Sequence, residues 1–295
     1  MALAVLNLVW GSSQTPTGSM VNRIAFISTL FCIGLGLMPG IALGQDSSGW
    51  AQGLHSRARL VSGDNTGGQR LAGLEIALDS GFKTYWRNPG ESGLPPRFDW
   101  SGSRNVKAVD VRWPAPSRLE DAAGVSYVYL GAVLLPLLVE PEDPTKPVHI
   151  ALSVEYGICK DICIPARAEL TRDLGTPPSS QAEIETVLRT KVPRKLDVGA
   201  AGELAIRALE AGSPDAKSFT ALVTAPAGTS PQLFIDAPDG WYFSTSAPDA
   251  GNRVAVTLDE KPAGPDVPVT ITLTLVAGEK SIESTVGLDA NGKPR

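Results

Sequence analysis

The chain has 295 residues, with 26 Lys and Arg against 31 Asp and Glu, and therefore a formal net charge of −5. This length fits two ordinary domains or one large all-β domain. The weak acidic balance argues against a nucleic-acid groove, which needs a concentrated basic surface. Because 43% of the residues are hydrophobic and 19% charged, the chain is expected to fold, and its 30 Gly and 24 Pro favour many strands and turns.

The first 44 residues have the pattern of a secretory leader. After Met20, Arg23 supplies a positive charge, residues 24–38 form an apolar run, and Ala-Leu-Gly at residues 42–44 resembles a signal-peptidase site. The run is shorter than the ~20 residues that a membrane span needs, although a retained anchor is an alternative. We expect residues 1–44 to be a leader with a signal peptide beginning at Met20, and the mature chain to be soluble in an oxidising compartment.

Residues 45–175 are predicted to form a β domain. Loose alternation or β-branched enrichment between turn signals indicates half-buried strands. These strands are expected at residues 71–78, 106–113 and 148–154. Another apolar run, residues 133–139, contains Pro136. Proline cannot donate a ladder hydrogen bond, so this run is expected at a sheet edge or bulge.

Residues 176–198 are predicted to be a linker with one short helix. Apolar residues recur at helical spacing within residues 180–191, and Pro193 ends the pattern. From residue 199 to 295 the strand pattern resumes, and its regular turn spacing predicts a second β-sandwich unit. Seven strands are expected there, at residues 204–209, 219–224, 232–236, 241–245, 253–258, 269–276 and 282–288. This unit contains no Cys or His and is interpreted as a structural or docking module.

Removal of the leader would remove Cys32 and leave two cysteines, Cys159 and Cys163. Four residues of extended strand span about 13 Å, whereas a disulfide needs Cα atoms within about 4.4–6.8 Å. If the two cysteines pair, the segment between them must therefore turn, as a tight loop or as a single helical turn.

Three chemistries fit this cysteine pair. A bridge that closes so short a loop removes little unfolded-state entropy, which favours redox exchange over a structural disulfide. Lys160 between the cysteines would favour a thiolate and Asp161 would oppose it. Copper binding is the third reading, but such sites normally add His and Met. Here position 167 is Arg and His149 is ten residues away, so no metal and no cofactor are predicted.

Four ordered motifs resemble the N-terminal periplasmic domain of the thiol:disulfide interchange protein DsbD, in its ScsB-like branch. They are GFKTYWRNPGESGLPP at residues 81–96, RWPAP at 112–116, GAVLLP at 131–136 and EYGICKDICIP at 155–165. The resemblance covers residues 50–175 and, more loosely, the second β unit. It implies an immunoglobulin-like sandwich, and the predicted fold class is all-β with two such units joined by the linker helix.

The resemblance also implies site residues. Cys159 and Cys163 match the family's redox pair, and Tyr156, Lys160 and Asp161 are expected around it. In the family, an aromatic of a cap loop shields the pair. The candidates here are Tyr85 and Trp86, which could equally be core aromatics of a sandwich. The spacing of the two cysteines is tighter than in the better-known DsbD domains.

The implied function is periplasmic thiol–disulfide oxidoreduction, with a link to cytochrome c biogenesis. Reducing equivalents would pass between a membrane-embedded DsbD-like electron donor and periplasmic thioredoxin-fold proteins. Because the chain stops after the second β unit, the donor is expected to be a separate protein. Neither nucleic acid nor a small-molecule substrate is expected. The alternatives are a non-catalytic binding module with a structural disulfide and a Cu(I)-handling protein.

Overall fold

The structure, a computed structural model, describes residues 49–121, 124–174, 180–213, 217–263 and 267–295. The predicted leader lies outside these residues. The described residues all belong to one compact unit, Gly44–Arg295. None of the helices in the described ranges has both the length and the apolar character to cross a membrane.

The strands up to residue 174 form two antiparallel sheets that face each other. In chain order they are β1 (Ala51–Gln52), β2 (Ser56–Thr66), β3 (Gln69–Leu78), β4 (Lys83–Gly90), β5 (Arg97–Asp99), β6 (Ala108–Val111), β7 (Ser117–Asp121), β8 (Gly124–Leu130), β9 (Ala132–Glu140), β10 (Val148–Cys159) and β11 (Cys163–Leu174). The first sheet has the order β1-β2-β3-β9-β6. The second has the order β11-β10-β4-β8-β7, with β5 also paired to β10. Alternate side chains such as Leu60, Leu135 and Ile150 fill the core of this first sandwich.

The linker helix α1 (Gln181–Thr190) follows the predicted segment closely. Its one fully buried side chain, Ile184, packs against Val61, Leu71 and Leu134. These residues belong to β2, β3 and β9, so the helix covers the outer face of the first sheet. The apolar residues whose spacing predicts the helix are therefore the ones that attach the linker to the first sandwich.

The remaining strands form two further sheets. They are β12 (Arg194–Lys195), β13 (Ala205–Ala211), β14 (Ser218–Thr224), β15 (Gln232–Asp236), β16 (Tyr242–Thr245), β17 (Arg253–Glu260), β18 (Val269–Ala277) and β19 (Lys280–Leu288). The third sheet has the order β12-β19-β18-β15 and the fourth β13-β14-β17-β16, and a second core lies between them. Among the described residues, no sheet joins strands from both sides of α1. The predicted fold class is confirmed, whereas the bounds of the two units stay a prediction.

The expectation that Pro136 marks a sheet edge or a bulge is wrong. It lies within β9, between β3 and β6, and pairs with Gly73. The last β6 partner on β9 is Leu137, and the carbonyl oxygen of Pro136 accepts the N–H of Arg112 just beyond β6. In an extended residue the amide nitrogen and the carbonyl point to the same side. The missing N–H of Pro136 therefore faces the end of β6, where the missing donor costs the β6–β9 pair few hydrogen bonds.

The second sandwich completes the core of the first. Phe234 of β15 is 1% exposed and packs edge-on against Trp86 and Tyr127, with ring centroids 6.1 and 4.9 Å apart. Its neighbours Leu233 and Ile235 point the other way, into the core of the second sandwich. Strand β15 therefore contributes to both cores through its two faces.

We predict that Phe234→Ala lowers the free energy of unfolding by about 3–5 kcal/mol, because it removes a buried aromatic from the junction of the two sandwiches. Urea denaturation followed by tryptophan fluorescence and circular dichroism measures the change. The matched control is Tyr242→Ala, which truncates an aromatic that is 56% exposed and should stay within about 0.5 kcal/mol of the parent. Equal stability of the two variants would contradict the packing role of Phe234.

Candidate functional site

The two cysteines close the tip of a long β-hairpin. Strands β10 and β11 pair without a register shift from Val148 opposite Leu174 to Cys159 opposite Cys163. Only residues 160–162 connect them. The cysteines form a disulfide with their Cα atoms 4.2 Å apart. Of the two geometries that the spacing allows, the structure adopts the tight loop.

The two sulfur-bearing residues differ in exposure. Cys159 is 1% exposed and packs with Tyr85, Val128 and the half-buried Leu119. Cys163, across the hairpin, is exposed. An approaching thiolate therefore reaches Cys163, while Cys159 is shielded by the sheet.

Tyr85 covers the disulfide with its hydroxyl group. This residue of β4 is 1% exposed, and its Oη lies 2.8 Å from Sγ of Cys159 and 3.1 Å from Sγ of Cys163. Disulfide sulfurs have no proton, so the phenol is the donor. Burial, and then the negative charge of Asp121, raise the pKa of Tyr85 above its ordinary value. The phenol therefore stays protonated at neutral pH and can donate to either sulfur.

Two glycines make room for the Tyr85 ring. A Cβ on Gly93 would lie 2.5 Å from Cδ1 of the ring, and a Cβ on Gly157 would lie 3.0 Å from Cδ2. The Gly157 Cβ would also lie 2.7 Å from Cβ of Leu94, in the loop that covers this face. Any larger residue at either position would push the ring or the loop away from the disulfide. Both glycines belong to the motifs on which the family resemblance depends.

Trp86, the other candidate cap residue, lies on the opposite face of β4, because successive strand residues alternate. It is fully buried in the first core, where it packs edge-on against Tyr127 and Phe234. The structure thus brings Tyr85 to the disulfide and places Trp86 among the core aromatics.

The three residues expected around the pair lie in different surroundings. Tyr156 points into the first core, away from the disulfide, and its hydroxyl lies 2.9 Å from Oγ of Ser56. Lys160 and Asp161 are exposed in the hairpin loop. The Lys160 ammonium lies over the ring of Phe82, 5.9 Å from its centroid.

Sequence reasoning missed a charged pair on the same sheet face as the disulfide. Lys83 pairs directly with Cys159, and its Nζ lies 3.0 Å from Oδ2 of Asp121. The Lys83 side chain is 10% exposed and that of Asp121 is 42% exposed. Strand alternation could have placed Lys83 beside Tyr85, two residues on, but no local signal connects Asp121 of β7 to this site.

The described residues hold no group of three or more His, Cys, Asp or Glu that could bind a metal ion. His149, the residue weighed as a copper ligand, pairs with Asp173 at the far end of the hairpin, where Nδ1 and Oδ1 are 2.6 Å apart. Ten residues of strand separate it from Cys159 by about 33 Å. His149 therefore cannot share a ligand sphere with the cysteines.

Comparison with known proteins supports the resemblance. Residues 56–174 match the model of the family described as "Thiol:disulfide interchange protein DsbD, N-terminal". The chain is similar to the crystal structure of the N-terminal periplasmic domain of ScsB from Proteus mirabilis, with a TM-score of 0.64, 21% identity, and coverage of 82% of this chain and 98% of that chain. None of the curated proteins matches the chain.

The expected resemblance to the DsbD N-terminal domain is therefore confirmed over residues 56–174. The structural similarity extends further, because it covers 82% of the chain. At this level of identity it shows a shared fold. The family match includes both Tyr85 and the cysteine hairpin.

We predict that Gly157→Ala increases the rate at which dithiothreitol reduces the disulfide, because the added methyl group displaces Tyr85 or Leu94. Overpacking of this kind also costs about 1–3 kcal/mol of stability. The control is Gly287→Ala in β19, where the nearest atom to a new Cβ is the Arg295 side chain at 3.6 Å. Parent-like reduction of the Gly157 variant would show that the close packing around Tyr85 does not protect the bond.

Proposed function

We propose that this protein is a periplasmic thiol–disulfide exchange protein that relays electrons through Cys159 and Cys163. The observation that carries the proposal is the asymmetric disulfide at the hairpin tip, with Cys163 exposed and Cys159 buried beneath the Tyr85 phenol. The match of residues 56–174 to the DsbD N-terminal family supports it. A disulfide that only braced a loop would need no such difference between its ends.

In the delivering direction, the Cys163 thiolate of the reduced protein attacks a sulfur of an oxidised partner. An S–S bond forms between Cys163 and the partner, and the partner's other sulfur leaves as a thiolate. The Cys159 thiolate then attacks Sγ of Cys163, which restores the internal disulfide and releases the partner's second thiolate. Two electrons pass to the partner, and its thiolates take protons from water.

In the receiving direction, a donor thiolate attacks Sγ of Cys163 and the bond to Cys159 breaks. Cys159 leaves as a thiolate beside the Tyr85 hydroxyl, which already lies 2.8 Å from its sulfur. A hydrogen bond from a neutral phenol stabilises that anion and so makes Cys159 a better leaving group. The donor's second thiolate then releases Cys163, and the donor is oxidised to a disulfide.

The partners that fit this relay are a membrane-embedded DsbD-like electron donor and periplasmic thioredoxin-fold acceptors. Apolar side chains around the disulfide support docking by a protein. Ile162 in the hairpin loop is 76% exposed, and Leu130, opposite Lys83 on β8, is 61% exposed. In this proposal residues 45–175 form the redox domain, residues 176–198 the linker and residues 199–295 the second β unit.

We predict that Cys159→Ser captures a partner in a mixed disulfide, because it leaves the exposed Cys163 without the thiol that would release the partner. Cys163→Ser should capture far less, because the remaining thiol is buried. Non-reducing electrophoresis of periplasmic extracts, followed by mass spectrometry, reads out the adducts. The double Cys→Ser variant is the control. If neither single variant captures a protein, the relay does not operate; capture by Cys163→Ser alone would reverse the assignment of the two roles.

We also predict that reduction leaves the fold intact. Closing a loop of so few residues contributes about 2 kcal/mol in the chain-entropy treatment of disulfides, so the reduced protein should keep its circular dichroism spectrum and lose only a few degrees of thermal stability. Redox titration against glutathione should give a potential above about −300 mV. A lower potential would instead support a structural bridge.

A further inference from the structure

The disulfide shares its sheet face with a partly buried pair of opposite charges. Lys83 lies directly opposite Cys159 across the β4–β10 ladder. Side chains opposite each other in an antiparallel pair have Cβ atoms about 4.5–5.5 Å apart on the same face. Tyr85 lies on this face too, two residues along β4, and its hydroxyl contacts both sulfurs. The Lys83 side chain therefore leaves the sheet beside Cys159, on the face that carries the buried sulfur.

Asp121 connects these groups from a different strand. Its carboxylate lies 3.0 Å from the Lys83 ammonium. Its charge also acts on the Tyr85 phenol, whose pKa it raises. Asp121 therefore lies within electrostatic reach of both the Tyr85 phenol and the Lys83 ammonium. The three side chains and the disulfide form one contiguous group on the outer face of the second sheet.

We propose that Lys83 and Asp121 act as a pair of opposed positioning residues for Cys159, in which the ammonium stabilises its thiolate and the carboxylate limits that stabilisation. This role deepens the proposed relay and rests on it. In the oxidised protein the disulfide is neutral, and so is the charge pair beside it. When Cys163 is attacked, one electron pair moves onto Cys159, and a negative charge appears at a residue that is 1% exposed.

Burial alone disfavours that charge, because a thiolate loses its hydration in the sheet. The Tyr85 hydroxyl supplies one hydrogen bond, and Lys83 supplies a positive charge from the strand position opposite Cys159. Asp121 pairs with the Lys83 ammonium and offsets part of its charge. The thiolate becomes stable enough to leave, yet remains reactive enough to attack Sγ of Cys163 and close the cycle.

The other charged groups near Cys159 are less well placed for this role. Lys160 and Asp161 are the ionisable neighbours in the hairpin loop, and both are exposed to solvent, which screens them. The Lys160 ammonium lies over the ring of Phe82. Cys163 is the only titratable residue that β11 places next to Cys159, and it is replaced in the test below. The charges that tune the buried sulfur thus come from β4 and β7 and not from the residues between the two cysteines.

The experiment measures the pKa of the Cys159 thiol in a Cys163→Ser background, from thiolate absorbance and from the rate of iodoacetamide alkylation against pH. Lys83→Met should raise this pKa by about one unit, which means a ~10-fold smaller thiolate fraction at a given pH, because it removes the cation and keeps the negative charge of Asp121 on this face. Asp121→Asn should lower it, because Lys83 then acts unopposed. Lys107→Met and Glu140→Gln, which disrupt an exposed ion pair on the first sandwich, should leave it unchanged.

Opposite shifts in the two variants support the inference, because a merely structural role would move both in the same direction. Shifts of one sign, no shift in either variant, or an equal shift on Lys160→Met would overturn it. Should Lys83→Met fail to fold, Asp121→Asn still decides, since only a lowered pKa agrees with the proposal. Partner trapping is read separately. Successful trapping with unchanged pKa values would contradict only the role of Lys83 and Asp121. Failed trapping would contradict the relay itself.

Discussion

The contact between the Tyr85 hydroxyl and the two sulfurs is the interaction on which the rest of the site depends. It exists because β4 and β10 pair in the register that sets Lys83 opposite Cys159, and because Gly93 and Gly157 leave space for the ring. Burial of the same ring keeps the phenol protonated and therefore able to donate. A change of register by one residue would turn Tyr85 into the core and Trp86 toward the disulfide. The chemistry of the cysteines is thus fixed by strand pairing as much as by the cysteines themselves.

The second sandwich contacts the strand that carries Tyr85. Arg87, two residues on, forms ion pairs with Asp236 and Glu283 at 2.9 and 2.7 Å. The side-chain amide of Asn88 donates to the carbonyl oxygen of Ile235 at 2.6 Å. Burial raises the pKa of Asp236, and the Arg87 guanidinium opposes that shift. A partly buried cluster of this kind favours one arrangement of the chain over others, since breaking it would leave a desolvated charge without its partner. The second sandwich therefore helps to hold β4 in place.

Much of this molecule could be predicted from local patterns, and what could not depends on long-range register. The helix and the strands after residue 199 follow from apolar spacing, which is a property of neighbouring residues. The predicted edge position of β9 is wrong, because Pro136 indicates a missing hydrogen-bond donor but not the side of the strand on which it is missing. Lys83 could have been placed beside the cysteines, because it lies two residues before Tyr85 on the same strand face. The contact of Asp121 with this site could not be predicted from the sequence, because it depends on the strand order β10-β4-β8-β7.

The position of the disulfide at the end of a regular hairpin meets two requirements of the relay proposed above. The covalent bond must break and reform, yet the surfaces that present it must keep their geometry. The ladder of β10 and β11 continues unbroken to the cysteines, and Ile158, just before Cys159, is fully buried in the first core. We therefore expect backbone pairing and core packing to hold the tip in both redox states, as the proposed exchange requires. A bridge between distant segments would instead contribute several kcal/mol to the fold, and every turnover would release that constraint.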